Sequence, residues 1–206
     1  MARARGLAPL AELLLAQNRG TDPEKAAADY LSGEVPDTAA ALAGARDILA
    51  EQFSDDAALR QELRELYQRT ALLASKAADA EKESVYEQYY DYAEPVSKVA
   101  GHRILAVDRG EREGFLKVSI QAESEQAAAL LRRRFVRAGG GPSAAQVTLA
   151  AQDAYDRLLH PSLERELRSE LTARAAEGAI AVFGENLRQL LLQPPIRGKV
   201  ALGMDP

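Results

Sequence analysis

Four tyrosines, Tyr86, Tyr89, Tyr90 and Tyr92, fall within seven positions of one another, in a chain whose aromatic content is only 5%. Glu83, Glu87, Asp91 and Glu94 are interleaved with them, and Pro95, Gly101, His102 and Arg103 follow. Such rings can stack on a base or another flat ligand. They can equally cement a junction between elements, burying apolar area while each hydroxyl finds a partner. Packing is the default for tyrosine, so Tyr89, Tyr90, Tyr92, His102 and Arg103 are read as an interaction or packing junction. A second group, Arg132, Arg133, Arg134 and Arg137, could meet phosphates, which arginine binds well. The same arginines also suit the C-terminal end of a helix stopping before Gly139-Gly140-Gly141, where cations complement the helix dipole without any ligand.

Other chemistry finds little support. Ser97 and Ser162 have no assigned base, His102 and His160 are the only imidazoles, and no nucleophile elbow or phosphate loop follows a strand. The triple glycine lacks the lysine and hydroxyl of a phosphate loop and reads as a flexible linker. With no cysteine, disulfides, thiolate nucleophiles and sulfur-based metal sites drop out together. Carboxylates are numerous but spread along helical patterns, so no metal and no cofactor are predicted, and no catalytic residue is assigned.

The 206 residues are 47% apolar, enough for one core or two small ones. No apolar run approaches the roughly 20 residues of a membrane span, and the start lacks a secretory signal. A cytoplasmic protein without membrane association is expected. A net charge of −5 is not the footprint of an autonomous nucleic-acid binder, so any such binding must be local or borrowed.

The elements that position these residues read mainly as amphipathic helices. Leu7, Leu10 and Leu14 share a stripe, and Thr21-Asp22-Pro23-Glu24 has capping-box spacing ahead of a short helix to about Leu31. Asp37 is expected to cap a third helix carrying Leu42, Ala45, Leu49 and Phe53. Ser54-Asp55-Asp56 should start a fourth with Leu59, Leu63, Leu66 and Tyr67 on one face. Residues 71–82 lose the stripe and read as a connector or weak strand, a possible sub-boundary. The tyrosine block is expected to resume a helix, which Pro95 ends near Ala93 or Glu94. A short helix follows over Gly101–Arg112. Leu116, Val118 and Ile120 then alternate with polar residues as in a half-buried strand, and residues 199–203 are the best visible partner.

In the last third, Ser143 and Gln146 have capping-box spacing for a helix with Val147, Ala150, Ala154 and Leu158 inward, and Pro161 is expected to stop it after His160. Ser162 can cap a second helix. Its stripe of Leu163, Leu167, Leu171, Ala175, Ala179, Phe183, Leu187 and Leu191 would make a beam about 40 Å long bracing the whole bundle. Glu164 with Arg168 and Glu170 with Arg174 have the spacing of surface ion pairs. The fold class expected is mainly α: a multi-helix bundle with one long C-terminal helix and one or two short strands.

Several stretches carry a family resemblance. They are Gly6-Leu7-Ala8-Pro9-Leu10-Ala11, Val35-Pro36-Asp37 with Gly44 to Glu51, the tyrosine block with Glu94-Pro95, His102-Arg103 with Arg109-Gly110-Glu111, and Ala181 to Leu187. Together they resemble bacterial Tex proteins, transcription accessory proteins related to a eukaryotic elongation factor, over nearly the entire chain. One departure is Ala93, where a serine is usual. The resemblance implies that residues 1–198 are the helical N-terminal region. Residues 199–206 would then be the first strand of a truncated YqgF domain of ribonuclease-H-like fold, with Asp205 where a first carboxylate would stand. It also implies helix-hairpin-helix elements and a C-terminal RNA-binding domain elsewhere in the full-length protein. The partners implied are nucleic acid bound through that full-length protein, the remaining Tex domains, and the transcription machinery. The reading favoured is therefore a helical scaffold segment rather than an enzyme. An autonomous helical adaptor is the alternative, and a nuclease-type hydrolase completed by a partner chain comes last.

Overall fold

The structure, a computed structural model, describes residues 2–194 and, beyond them, 198, 200 and 202. Helices α1 (Ala8–Ala16), α2 (Pro23–Ala28), α3 (Thr38–Ser54) and α4 (Ala57–Thr70) come first. Their starts follow from local chemistry: Asp22, Asp37 and Asp56 each accept a hydrogen bond from a backbone N–H of the first turn, satisfying donors the helix cannot pair. Asp22 therefore caps α2, one residue after the expected Thr21. Leu7, Leu10, Leu14, Leu49, Phe53, Leu59, Leu63 and Tyr67 are all buried.

Of the two readings of residues 71–82 the strand holds, as β1 (Leu72–Ala77), the centre of a three-stranded antiparallel sheet ordered β2-β1-β3. The tyrosine block does not resume a helix. After one 3₁₀ turn (Glu87–Tyr89) it becomes β2 (Asp91–Pro95), pairing Leu73 with Glu94 and Ser75 with Tyr92. Pro95 ends this edge strand, where its missing N–H costs no ladder bond. Helix α5 (Gly101–Arg112) and strand β3 (Leu116–Gln121) form as expected, but β3 pairs with β1, Ile120 opposite Leu73. The proposed partner at residues 199–203, and the YqgF strand at 199–206, lie largely outside the described residues.

Helix α6 (Ser124–Phe135) leads into α7 (Gly141–Asp153), a π-helical segment (Ala154–Leu159) and α8 (His160–Leu191). Ser143 is not a cap. It lies inside α7, fully buried, with a hydroxyl lacking a protein partner. Pro161 does not stop the helix either. The chain widens into the π turn, with His160 N–H reaching back to Tyr155 O, and Pro161 then occupies the first turn of α8, where its missing N–H is tolerated. Ser162, inside α8, instead accepts a hydrogen bond from Arg60 Nη1 at 3.3 Å.

The triple glycine is an ordered turn, not a linker. Gly139 and Gly141 have φ of 75° and 63°, a left-handed backbone that suits glycine, and Arg19 Nε donates to Gly139 O at 3.3 Å. At 32 residues, α8 is about 48 Å long. Only its first half packs: Leu163, Leu167, Leu171 and Ala175 are buried, whereas Phe183, Leu187 and Leu191 are exposed. The expected beam therefore braces the bundle for half its length. Among the described residues, no helix is long and apolar enough to cross a membrane.

Candidate interaction site

Two places gather the residues singled out from the sequence. The first is the crossing of α4 and α6. Helix α6 carries Arg132, Arg133 and Arg134 in its last turn, and its last carbonyl and the N–H two residues beyond are clamped by one buried side chain: Gln17 Nε2 donates to Phe135 O at 2.7 Å, and Gln17 Oε1 accepts from Arg137 N at 2.8 Å. The stacked rings of Phe53 and Phe135, 3.9 Å between centroids, fix the same end against α3. The arginines thus project from a rigid helix terminus.

Each has a partner within the fold. Arg132 pairs with Glu125 at 2.6 Å, Arg133 with Glu62 at 3.1 Å, and Arg134 with Asp56 at 2.9 Å and Glu62 at 3.3 Å. Arg137 donates to Ala16 O at 2.9 Å. Exposed pairs of this kind contribute only about 0.2–1 kcal/mol each, but they set the local field. A phosphate reaching these guanidinium groups would displace a carboxylate and then sit beside it. Asp56 is also the N-cap of α4. Burial raises its pKa, yet the Leu59 N–H and Arg134 outweigh that and hold the carboxyl below the ordinary aspartate value.

The second place lies between the sheet and α5. Tyr86 and Tyr89 are buried with Val107 and Leu116 in a small core of their own, and Tyr90, Tyr92 and Phe115 pack partly against it. Tyr89 and Tyr92 meet edge to face at 5.3 Å, a favoured arrangement of ring quadrupoles. Hydroxyls find acceptors as a packed junction requires. Tyr86 donates to Glu113 at 2.8 Å, Tyr90 donates to Lys82 O with the Ser84 hydroxyl 2.9 Å from its own, and Tyr92 donates to Glu94. Arg103 also donates to Glu94, at 2.8 Å. Burial first, then the bond to Glu94, pushes the Tyr92 pKa up to about 12. With Tyr89 buried, the three rings do not form one exposed stacking surface. The junction joins the sheet to α5. His102 is exposed on the first turn of α5.

Sequence reasoning missed three features. The pairs expected at Glu164–Arg168 and Glu170–Arg174 do not form. Arg168, with its side chain only 20% exposed, instead reaches Asp108 at 2.8 Å and Glu111 at 2.7 Å on α5. Burial opposes its charge, but the bonds to Glu111 and Asp108 prevail and raise its pKa. Glu164 and Glu111 accept the outward N–H groups of Ile120 and Val118, closing the edge of β3. The second feature is a buried chain in which Tyr67 Oη lies 3.1 Å from Tyr155 Oη and 2.7 Å from His160 Nδ1, tying α4 to the π turn. Burial first, then Tyr155, drives the Tyr67 pKa upward. The third is the exposed half of α8. None of the three had a signal in the sequence: the two networks join residues far apart in it, and the stripe of α8 states only that its face is apolar. Among the described residues, no three acidic or histidine side chains gather as a metal site would require.

Comparison with known proteins gives these features a setting. Residues 18–183 match a family described as Tex central region-like. Over its whole length the chain is 40% identical to the uncharacterized protein YdcI of Bacillus subtilis, covering 29% of that protein. It is likewise 37% identical to the transcriptional accessory protein Tex of Neisseria gonorrhoeae, covering 28% of it. A human protein named S1 RNA-binding domain-containing protein 1 is 29% identical over 79% of the chain and 18% of its own length. The chain thus spans less than a third of each of these relatives.

Proposed function

The chain belongs to the Tex family, through its central region, and from that premise we propose that it is the helical scaffold segment of a longer transcription accessory protein whose other parts bind nucleic acid. One observation carries the proposal: the basic run most suited to phosphate, Arg132 to Arg137, is held by Glu125, Glu62, Asp56 and the end of α1. Its charges brace α6 against α4 and α1. The overall charge of −5 supports the same reading, and so do the names of the relatives, which place transcription and RNA binding in longer proteins.

On this proposal residues 1–198 are one helical region, residues 199–206 begin the domain that follows, and the segment acts as a positioning element in the cytoplasm rather than as an enzyme. Its partners on this proposal are nucleic acid through the full-length protein, the remaining Tex domains and the transcription machinery. Titration of labelled single-stranded RNA and duplex DNA against the chain, at several salt concentrations, tests the proposal. Scaffolding predicts no salt-sensitive binding at micromolar chain, and tight salt-sensitive binding would sink it. Metal-dependent cleavage of either substrate would restore the hydrolase reading.

A further inference from the structure

We propose that Tyr155, Tyr67 and His160 form a proton-sensitive lock on the root of α8, closed while the His160 ring is neutral and released when Nδ1 takes up a proton. The inference goes beyond the scaffold reading and does not depend on what the chain binds.

Three elements meet at this chain of side chains: Tyr67 belongs to α4, Tyr155 to the π turn, and His160 is the first residue of α8. Tyr67 Oη is the middle member, 3.1 Å from Tyr155 Oη and 2.7 Å from His160 Nδ1. Both tyrosines are buried, and among the described residues neither hydroxyl has a partner outside the chain. The half-buried His160 ring is tilted against both phenol rings, with centroids 6.1 and 5.8 Å away. Burial first, and then Tyr155, keep the Tyr67 hydroxyl protonated.

Counting protons fixes the direction of the bonds. Two O–H donors need two acceptors, and one arrangement supplies them: Tyr155 donates to Tyr67 Oη, and Tyr67 donates to an unprotonated His160 Nδ1, with the ring proton on Nε2. A proton on Nδ1 reverses the chain. Nδ1 then donates to Tyr67, Tyr67 turns to Tyr155, and the Tyr155 O–H is left buried without an acceptor, which is destabilising. Should the ring swing toward solvent instead, the tie between α4 and α8 is broken and one tyrosine O–H again lacks an acceptor. Either response loosens the same place.

The charged groups on the elements packed around the ring leave an imidazolium little compensation. Arg60 and Arg64 of α4 carry its own sign, and Arg60 reaches Ser162, two residues along α8 from His160. The carboxylates already have donors: Glu164 accepts from the Ile120 N–H, Glu166 from Arg64, Asp156 from Gln152, and Asp47 from Arg157. None of these groups is an imidazole, the side chain whose charge ordinarily changes between about pH 5 and pH 8. The lock also sits at a π turn, a rare helical form met mostly at functional sites.

Hydrogen–deuterium exchange of residues 1–206 at about pH 7.5 and about pH 5.5, corrected for the intrinsic effect of pH on amide exchange, tests the proposal. Amides 155–167 are expected to lose about 10-fold or more of their protection at the lower pH, while the central strand β1 keeps its own. His160→Asn, whose side-chain oxygen can accept from Tyr67 but does not titrate, should abolish the difference. An NMR titration of the His160 ring in the parent chain should share its midpoint with the loss of protection, a check that stands even where the variant folds poorly. Equal protection at the two pH values overturns the proposal, as does an equal loss in His160→Asn, a loss shared by β1, or a midpoint different from that of the ring. Salt-sensitive RNA binding by residues 1–206 would defeat the scaffold reading alone and leave the lock intact.

Discussion

Arg168 is the side chain on which the attachment of α8 to the rest of the fold converges, binding Asp108, Glu111 and the carbonyl of Val118. Replacing it by Ala would leave two partly buried carboxylates facing each other without a cation. Arg168→Ala is therefore expected to cost about 2–3 kcal/mol, read as a lowered midpoint of urea unfolding. Arg168→Lys should recover only part, since an ammonium cannot span both acids as a guanidinium does. Asp56 gives the pH dependence. Its folded pKa lies below the ordinary 3.8, so its contribution is complete above that value and is lost as pH falls through the folded pKa. Asn also caps helices but does not titrate. Asp56→Asn should thus lose less stability than the parent chain between about pH 4 and pH 2 in thermal unfolding. A steeper acid loss in the variant would contradict the assignment. These partners were hidden from the sequence because they are distant in it: Arg134 and Asp56 are 78 residues apart, Arg133 and Glu62 71. Periodicity reports only neighbours one turn away.

Helices, by contrast, declare themselves locally. Asp37 as a cap, Ser54-Asp55-Asp56 as the start of a helix, and Leu59, Leu63, Leu66 and Tyr67 as its buried face could be read directly because a cap and a stripe need no knowledge of the rest of the chain. The strands needed it. β1 takes its identity from β3, more than 40 residues later, and the spacing of Tyr86, Tyr89 and Tyr90 imitates a helix face although the block turns into β2. Pro161 misled for another reason, since a π turn ahead of it supplies the room an α-helix would lack. Glycines show how closely the elements are fitted. A Cβ at Gly110 would stand 2.6 Å from Leu116 Cδ1 and 3.1 Å from Tyr86 Cδ1, both in the small aromatic core, whereas Gly178 has nothing within 4 Å. Gly110→Ala is expected to destabilise by about 1–2 kcal/mol, overpacking outweighing the better helix propensity. Gly178→Ala should instead raise the helicity of residues 1–206 by circular dichroism, because alanine is worth about 1 kcal/mol over glycine in an open helix. A stabilising Gly110→Ala would mean that α5 and β3 are less tightly apposed than described.

At the scale of the molecule, a core of N-terminal helices, sheet and helical rod holds the arginine run inside its own network, and sends α8 outward with an uncovered apolar face. The family and the mainly helical class were legible from motifs and periodicity. The division of α8 into a packed and a free half was not, because a stripe states that a face is apolar and is silent on what covers it. Both features suit a segment that holds other domains in place, and the central claim is that it does so without binding nucleic acid itself. Fluorescence anisotropy of a labelled single-stranded RNA, titrated in parallel with residues 1–206 and with the full-length polypeptide at about 50 and 200 mM salt, tests this most directly. The account predicts binding by the full-length polypeptide that weakens steeply between the two salt concentrations, and no saturable binding by residues 1–206 at up to about 10 μM at either one. Sub-micromolar, salt-sensitive binding by residues 1–206 that disappears in an Arg132→Ala, Arg133→Ala, Arg134→Ala variant would contradict it.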